Sequence, residues 1–128
     1  MLHRKRILFA INSLAGGGAE RVLATLLAGS ESWRARYDIH LALLDDEPRA
    51  YDVPEWVEVH QLDARHKLLP SLTQLRALVG RVSPDATLSF LTRANIANAW
   101  AMAGHRRPWL ISERVNTSAH LGRGPAGM

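Results

Sequence analysis

The chain has 128 residues, 47% hydrophobic and 22% charged, with no cysteine. That length suits one domain with its own core, the balance excludes a disordered or collagen-like chain, and disulfides, thiolate metal sites and a Cys nucleophile are all excluded. Sixteen Lys and Arg against twelve Asp and Glu give a net charge of +4, which helps attract phosphate or an anionic surface but is too small and too dispersed to indicate nucleic acid.

Met1 to Arg6 is basic and Ile7 to Ala15 mostly apolar, the outline of a signal peptide. Asn12 and Ser13 interrupt that run and Gly16-Gly17-Gly18 follows, so a buried first strand over Ile7–Ile11 explains the residues better. Val22, Leu23, Leu26 and Leu27 then recur at helical spacing and Gly29 closes that helix. Tyr37–Leu44 and Val57–Leu62 read as the second and third strands, with Asp45-Asp46 as a solvated strand terminus. Ser71 and Gln74 form an S-x-x-Q capping box for a helix whose stripe is Leu72, Leu75, Leu78 and Val79 and which Pro84 ends. Ala86–Leu91 is the fourth strand, Asn95–Ala103 a helix closed by Gly104, and Trp109–Ser112 the fifth strand.

This alternation predicts an α/β fold, a Rossmann-like doubly wound parallel sheet in the order 3-2-1-4-5. The domain would occupy residues 1–114, with 115–128 a Gly/Pro-containing tail leading to a further, C-terminal domain. The fifth strand would be a poorly protected edge. No apolar run approaches the roughly 20 residues of a spanning helix. The basic groups Arg4–Arg6 and Arg106-Arg107 suit peripheral contact with anionic lipid, although a solvated face accounts for them too.

Ligands of such sheets bind beyond the carboxyl ends of the strands, where the order reverses, here between the first and fourth. That rule selects Asn12, Ser13 and Gly16-Gly17-Gly18 after the first strand, and Asp45 after the second. Thr92, Arg93 and Asn95 follow the fourth strand; Glu113, Arg114 and Asn116 follow the fifth. Three glycines permit close approach to bare backbone, and the helix after them offers N–H groups to an anion. A turn that simply needs left-handed geometry would use the same residues. Arg93 and Arg114 are planar donors for phosphate or sugar hydroxyls, and Glu113 accepts from a hydroxyl or pairs with an arginine. Glu20 opposes an anion at the loop and reads as structural. The six histidines lack spacings such as H-E-x-x-H, so no metal is expected, and His40 and His60 read as packed or edge strand residues.

The opening Arg6-Ile-Leu-Phe-Ala-Ile-Asn-Ser-Leu-Ala-Gly-Gly-Gly-Ala-Glu-Arg-Val-Leu resembles that of family 4 glycosyltransferases with the GT-B fold. Leu88-Ser-Phe-Leu-Thr-Arg-Ala-Asn-Ile and Ile111-Ser-Glu-Arg resemble the same family's fourth and fifth strands with their exits. The resemblance implies the N-terminal, acceptor-side domain of a cytoplasmic, retaining sugar transferase, working on a UDP- or GDP-linked sugar without a cofactor or a dedicated metal, in part at the inner face of the membrane. It assigns Gly16, Gly17 and Gly18 to the donor diphosphate and Thr92, Arg93, Asn95, Glu113 and Arg114 to the acceptor. Val115 separates Arg114 from Asn116, a departure from the family's Ser-Glu-Arg-Asn run. The donor domain with its paired glutamates would lie beyond this chain, which alone should be inactive. Two alternatives from other classes are a nicotinamide-dependent oxidoreductase domain and a non-catalytic binding module. The first needs a third fingerprint glycine where Arg21 stands.

Overall fold

The computed structural model of the protein describes residues 4–112. In chain order the elements are β1 (Lys5–Ile11), α1 (Gly18–Ala28), a 3₁₀ turn (Glu31–Trp33), β2 (Tyr37–Leu43), β3 (Val57–Gln61), α2 (Leu68–Val82), β4 (Ala86–Phe90), α3 (Thr92–Met102) and β5 (Trp109–Ser112). All strand pairs are parallel and the sheet runs β3-β2-β1-β4-β5, the predicted Rossmann-like order. The expected tail and the residues after Ser112 lie outside the described residues.

Both faces of the sheet are covered, so β1 from Ile7 onward is a continuous apolar run rather than an alternating one, while β2 carries Asp38 and His40 on the face that Ala42 shares. Alternation survives in residue size. Phe9, Ile11, Ile39, Leu41 and Leu43 face α1, where Leu23 and Leu27 fill the space. Leu8, Ala10 and Ala42 face α2 and α3, where Ala94, Ala97 and Ala101 keep α3 close to the strands. No helix joins β2 to β3. The segment 44–56 makes that crossover and lays Val53 and Trp56 on the α1 side. Trp56 Nε1 donates to Ser30 Oγ at 2.9 Å, and Ser30 Oγ donates to Leu27 O at 2.6 Å, which anchors the crossover to the end of α1.

Three expectations are corrected. Val22 is 47% exposed, and the inward stripe of α1 is Ala19, Leu23, Ala24 and Leu27. The Ser71–Gln74 capping box does not form: α2 starts four residues earlier, behind Lys67. Pro70 permits this, because a first-turn N–H has no intrahelical partner to lose. Ser71 is instead buried and donates to Lys67 O at 2.6 Å. Gln74 clasps Asp63, accepting from its N–H at 2.9 Å and donating to its carbonyl at 3.1 Å. Thirdly, α3 begins at Thr92 rather than Asn95. A single residue, Leu91 at φ 76° and ψ 152°, makes the turn from β4, in a region of backbone space that is almost exclusively glycine's.

Candidate functional site

Beyond β1 and β4, where the strand order reverses, two helices begin. α1 starts behind Gly16 and Gly17, at φ 139° and 124°, values that only glycine adopts without strain. No side chain caps α1, and its first backbone bond runs from Arg21 N–H to Gly17 O at 3.1 Å. The amides of Gly18, Ala19 and Glu20 precede that bond and have no intrahelical partner. Gly16, Gly17 and Gly18 are exposed. α3 is likewise without a side-chain cap, and Thr92 stands exposed at its first position. Two positive helix ends therefore flank the crevice, one from each face of the sheet.

The glycine loop is not bare. A Cβ added to Gly17 would stand 2.8 Å from Glu20 Oε1, so the Glu20 carboxylate folds back against the loop. It occupies the neighbourhood that an anionic ligand would use, and it favours the helix dipole while doing so. Beneath the loop, Asn12 Oδ1 is buried without a hydrogen-bond partner.

Arg93 does not point freely to solvent. Its guanidinium grips Asp45 with both terminal nitrogens, Nη1 to Oδ1 at 3.0 Å and Nη2 to Oδ2, and Nη1 also donates to Ser71 Oγ at 2.8 Å. Asp45 is 2% exposed, which corrects the reading of a solvated strand end. Burial raises its pKa, but the Arg93 hydrogen bonds, the His66 N–H at 2.9 Å and the charges of Arg93 and His66 outweigh it, leaving the carboxyl below its usual range. His66, at φ 61°, also reaches Glu47, Nε2 to Oε2 at 3.1 Å. Ligand atoms of Asp45, Glu47 and His66 lie within 4.8 Å of one another, and the Asp45 carboxylate is already paired with the Arg93 guanidinium.

Asn95 is buried. Its Oδ1 accepts from Ser89 Oγ at 2.7 Å and its Nδ2 donates to Ser112 O at 3.2 Å. Asn98 works alongside it, accepting from Thr87 Oγ1 at 2.7 Å and donating to Ser89 Oγ and Leu110 O, each at 3.1 Å. These two amides fasten α3 to β4 and β5.

Of the predicted site residues, the glycines and Thr92 are exposed at the starts of α1 and α3. Arg93 and Asn95 have their polar groups engaged inside the protein. Glu113, Arg114 and Asn116 lie outside the described residues. The reading of single residues missed the Asp45–Arg93–Ser71 network, whose members are scattered along the chain and carry no common motif.

No family model matches the chain. It is 32% identical over 119 residues to the N-acetylgalactosamine-N,N'-diacetylbacillosaminyl-diphospho-undecaprenol 4-alpha-N-acetylgalactosaminyltransferase of Campylobacter jejuni. The chain is related to a glycosyltransferase. The match takes in 84% of this chain and 31% of the relative, so the chain spans about a third of that enzyme's length. A Rossmann-like sheet is compatible with a portion of such a transferase.

Proposed function

We propose that the chain is the N-terminal, acceptor-side domain of a retaining, GT-B-type family 4 glycosyltransferase. The complete enzyme would move a sugar from a UDP- or GDP-linked donor to a saccharide or lipid-linked acceptor. The observation that carries this reading is the uncapped start of α1 behind two glycines at positive φ, set at the reversal of strand order. Amides so placed favour the charge that develops on a departing diphosphate, and the electrostatic gain needs no reorganisation at the moment of reaction. Glu20 would turn aside as the diphosphate enters. Thr92, together with Arg114 and Glu113, would face the acceptor, with Arg93 and Asn95 holding that wall in place. The relative's name describes an acceptor carried on diphospho-undecaprenol, and a lipid-linked saccharide of that class is the acceptor we favour. Action at the inner membrane face would follow, without a dedicated metal or a cofactor in the transfer step.

Among the described residues, nothing favours the nicotinamide alternative. Asp45, the acid it would need for a ribose, is held by Arg93. Gly17→Val tests the proposal in the complete enzyme. The new side chain meets the Glu20 carboxylate and an unfavourable φ, and transfer should fall by at least about a hundredfold, the scale of losing one oxyanion donor. The far-ultraviolet circular dichroism should be retained. Undiminished turnover would remove the diphosphate from this loop, and selective thermal stabilisation by NADH over UDP and GDP would overturn the assignment altogether.

A further inference from the structure

A second polar site lies away from the crevice, on the sheet face covered by α2 and beside that helix's C-terminal end. It is a groove of about 360 Å³ bordered by Asp38, His40, Glu58, His60, Arg6 and Arg81. Strand geometry assembles it. In the parallel register His40 stands opposite Glu58, and Ala42 opposite His60. Glu58 and His60 are two apart on β3 and share a face, so they flank the His40 side chain. The two imidazoles lie edge to edge with centroids 5.2 Å apart and planes at 12°, and His40 Nδ1 and His60 Nε2 share a 2.9 Å hydrogen bond that an incoming ion would replace. Glu58 Oε2 is 3.5 Å from the same His60 nitrogen, and one ligand atom from each of the three falls within 4.8 Å of the others. His40 is only 6% exposed, yet its Nε2 has no hydrogen-bond partner; the Asp38 carboxylate stands 3.4 Å away.

We propose that His40, His60 and Glu58 form a binding site for a divalent cation of the zinc type, joining the edge strand β3 to β2. Two imidazoles and a carboxylate are the donor set that such ions take. Metal–ligand bonds of about 2.0–2.1 Å in tetrahedral geometry set neighbouring donors roughly 3.3 Å apart, between the 2.9 Å and 3.5 Å found here. Ligation through His40 Nδ1 leaves that ring's hydrogen on Nε2, facing Asp38. The buried orphan nitrogen then gains a partner, in the carboxylate–histidine–metal arrangement that orients such ligands. Water would complete the coordination. Arg6 borders the site, but its Nη1 is drawn off by Val82 O at 3.1 Å, and two carboxylates stand against the cationic neighbours. No single stretch of sequence shows this site, because His40 and His60 are 20 residues apart and only the strand register brings them together.

The test uses the full chain, titrated with Zn²⁺ by calorimetry and with Co²⁺ by visible absorption at pH 7.5. Saturable binding of a single ion is expected, with a four-coordinate Co²⁺ spectrum. Glu58→Gln, at an exposed position that should leave the fold unaltered, and His60→Gln should each weaken binding at least about tenfold, and Asp38→Asn by about 10–100-fold. His66→Gln, which alters the other His–carboxylate group, should leave the affinity unchanged. Absence of saturable binding overturns the proposal. So does an affinity that survives Glu58→Gln and His60→Gln, or one that is lost with His66→Gln.

Discussion

Asp45 and Arg93 come from strand and helix segments far apart in sequence and meet as a bidentate pair whose carboxylate is fully enclosed. Two parallel N–H···O bonds, the His66 amide and the Ser71 hydroxyl satisfy most of the lone pairs and protons that burial strips of water. Removing one partner leaves the other charge stranded. Arg93→Ala should therefore cost about 3 kcal/mol in urea denaturation, and combining it with Asp45→Asn should recover part of that loss. The same pair gives a pH signature. Its folded-state pKa lies below the ordinary aspartate value of 3.8, so the unfolded chain takes up the proton first as the solution is acidified. The stabilisation is complete above that value and is lost as pH falls through the folded-state pKa. Unfolding midpoints measured downward from pH 5 should fall less steeply in Asp45→Asn than in the wild type. Reading residues one at a time found Arg93 but assigned it to a ligand, because a sequence does not disclose which acid a guanidinium will meet.

At the scale of elements, α3 illustrates how weak local signals are overruled by packing. Its inward face is built from Ala94, Ala97, Ala101, the amides Asn95 and Asn98, and one large apolar side chain, Met102, at its far end, so apolar periodicity marks its start poorly. The helix begins three residues before the expected position because Leu91 makes the whole turn. Small side chains there are a requirement, since α3 lies directly on the sheet beside Leu8 and Ala10. Ala97→Leu should destabilise the fold by about 1–3 kcal/mol through overpacking, read as a lowered midpoint in chemical denaturation. The S-x-x-Q motif failed for a related reason. Ser71 is claimed by the Lys67 carbonyl and by Arg93, and Gln74 by Asp63, so each partner was drawn to a tertiary contact instead of the other's backbone.

For the whole molecule, the sheet has one edge tied down and one left open among the described residues. β3 is held by the crossover segment and by Gln61, whose Nε2 donates to Asp45 O at 2.8 Å. β5 carries exposed Trp109, Leu110 and Ile111, an apolar edge of the kind that pairs with other chains. Leu110, 62% exposed, should tolerate lysine, and Leu110→Lys should lower self-association in light scattering while leaving the unfolding midpoint within about 0.5 kcal/mol of wild type.

Strand order, the two-sided core and the glycine bend after β1 were all legible in the residue pattern, because they follow from local rules. A fully covered strand must be apolar throughout, a parallel pair needs a crossover, and a bend at positive φ needs glycine. Which polar groups meet was decided by the tertiary structure alone. The Asp45–Arg93 pair, the Asn95 and Asn98 amides under β5 and the His40–His60 pair each join segments that no local spacing connects. Side-chain polar groups are short-ranged and must be satisfied wherever the fold leaves them, so their partners exist only once the strands and helices have been laid side by side.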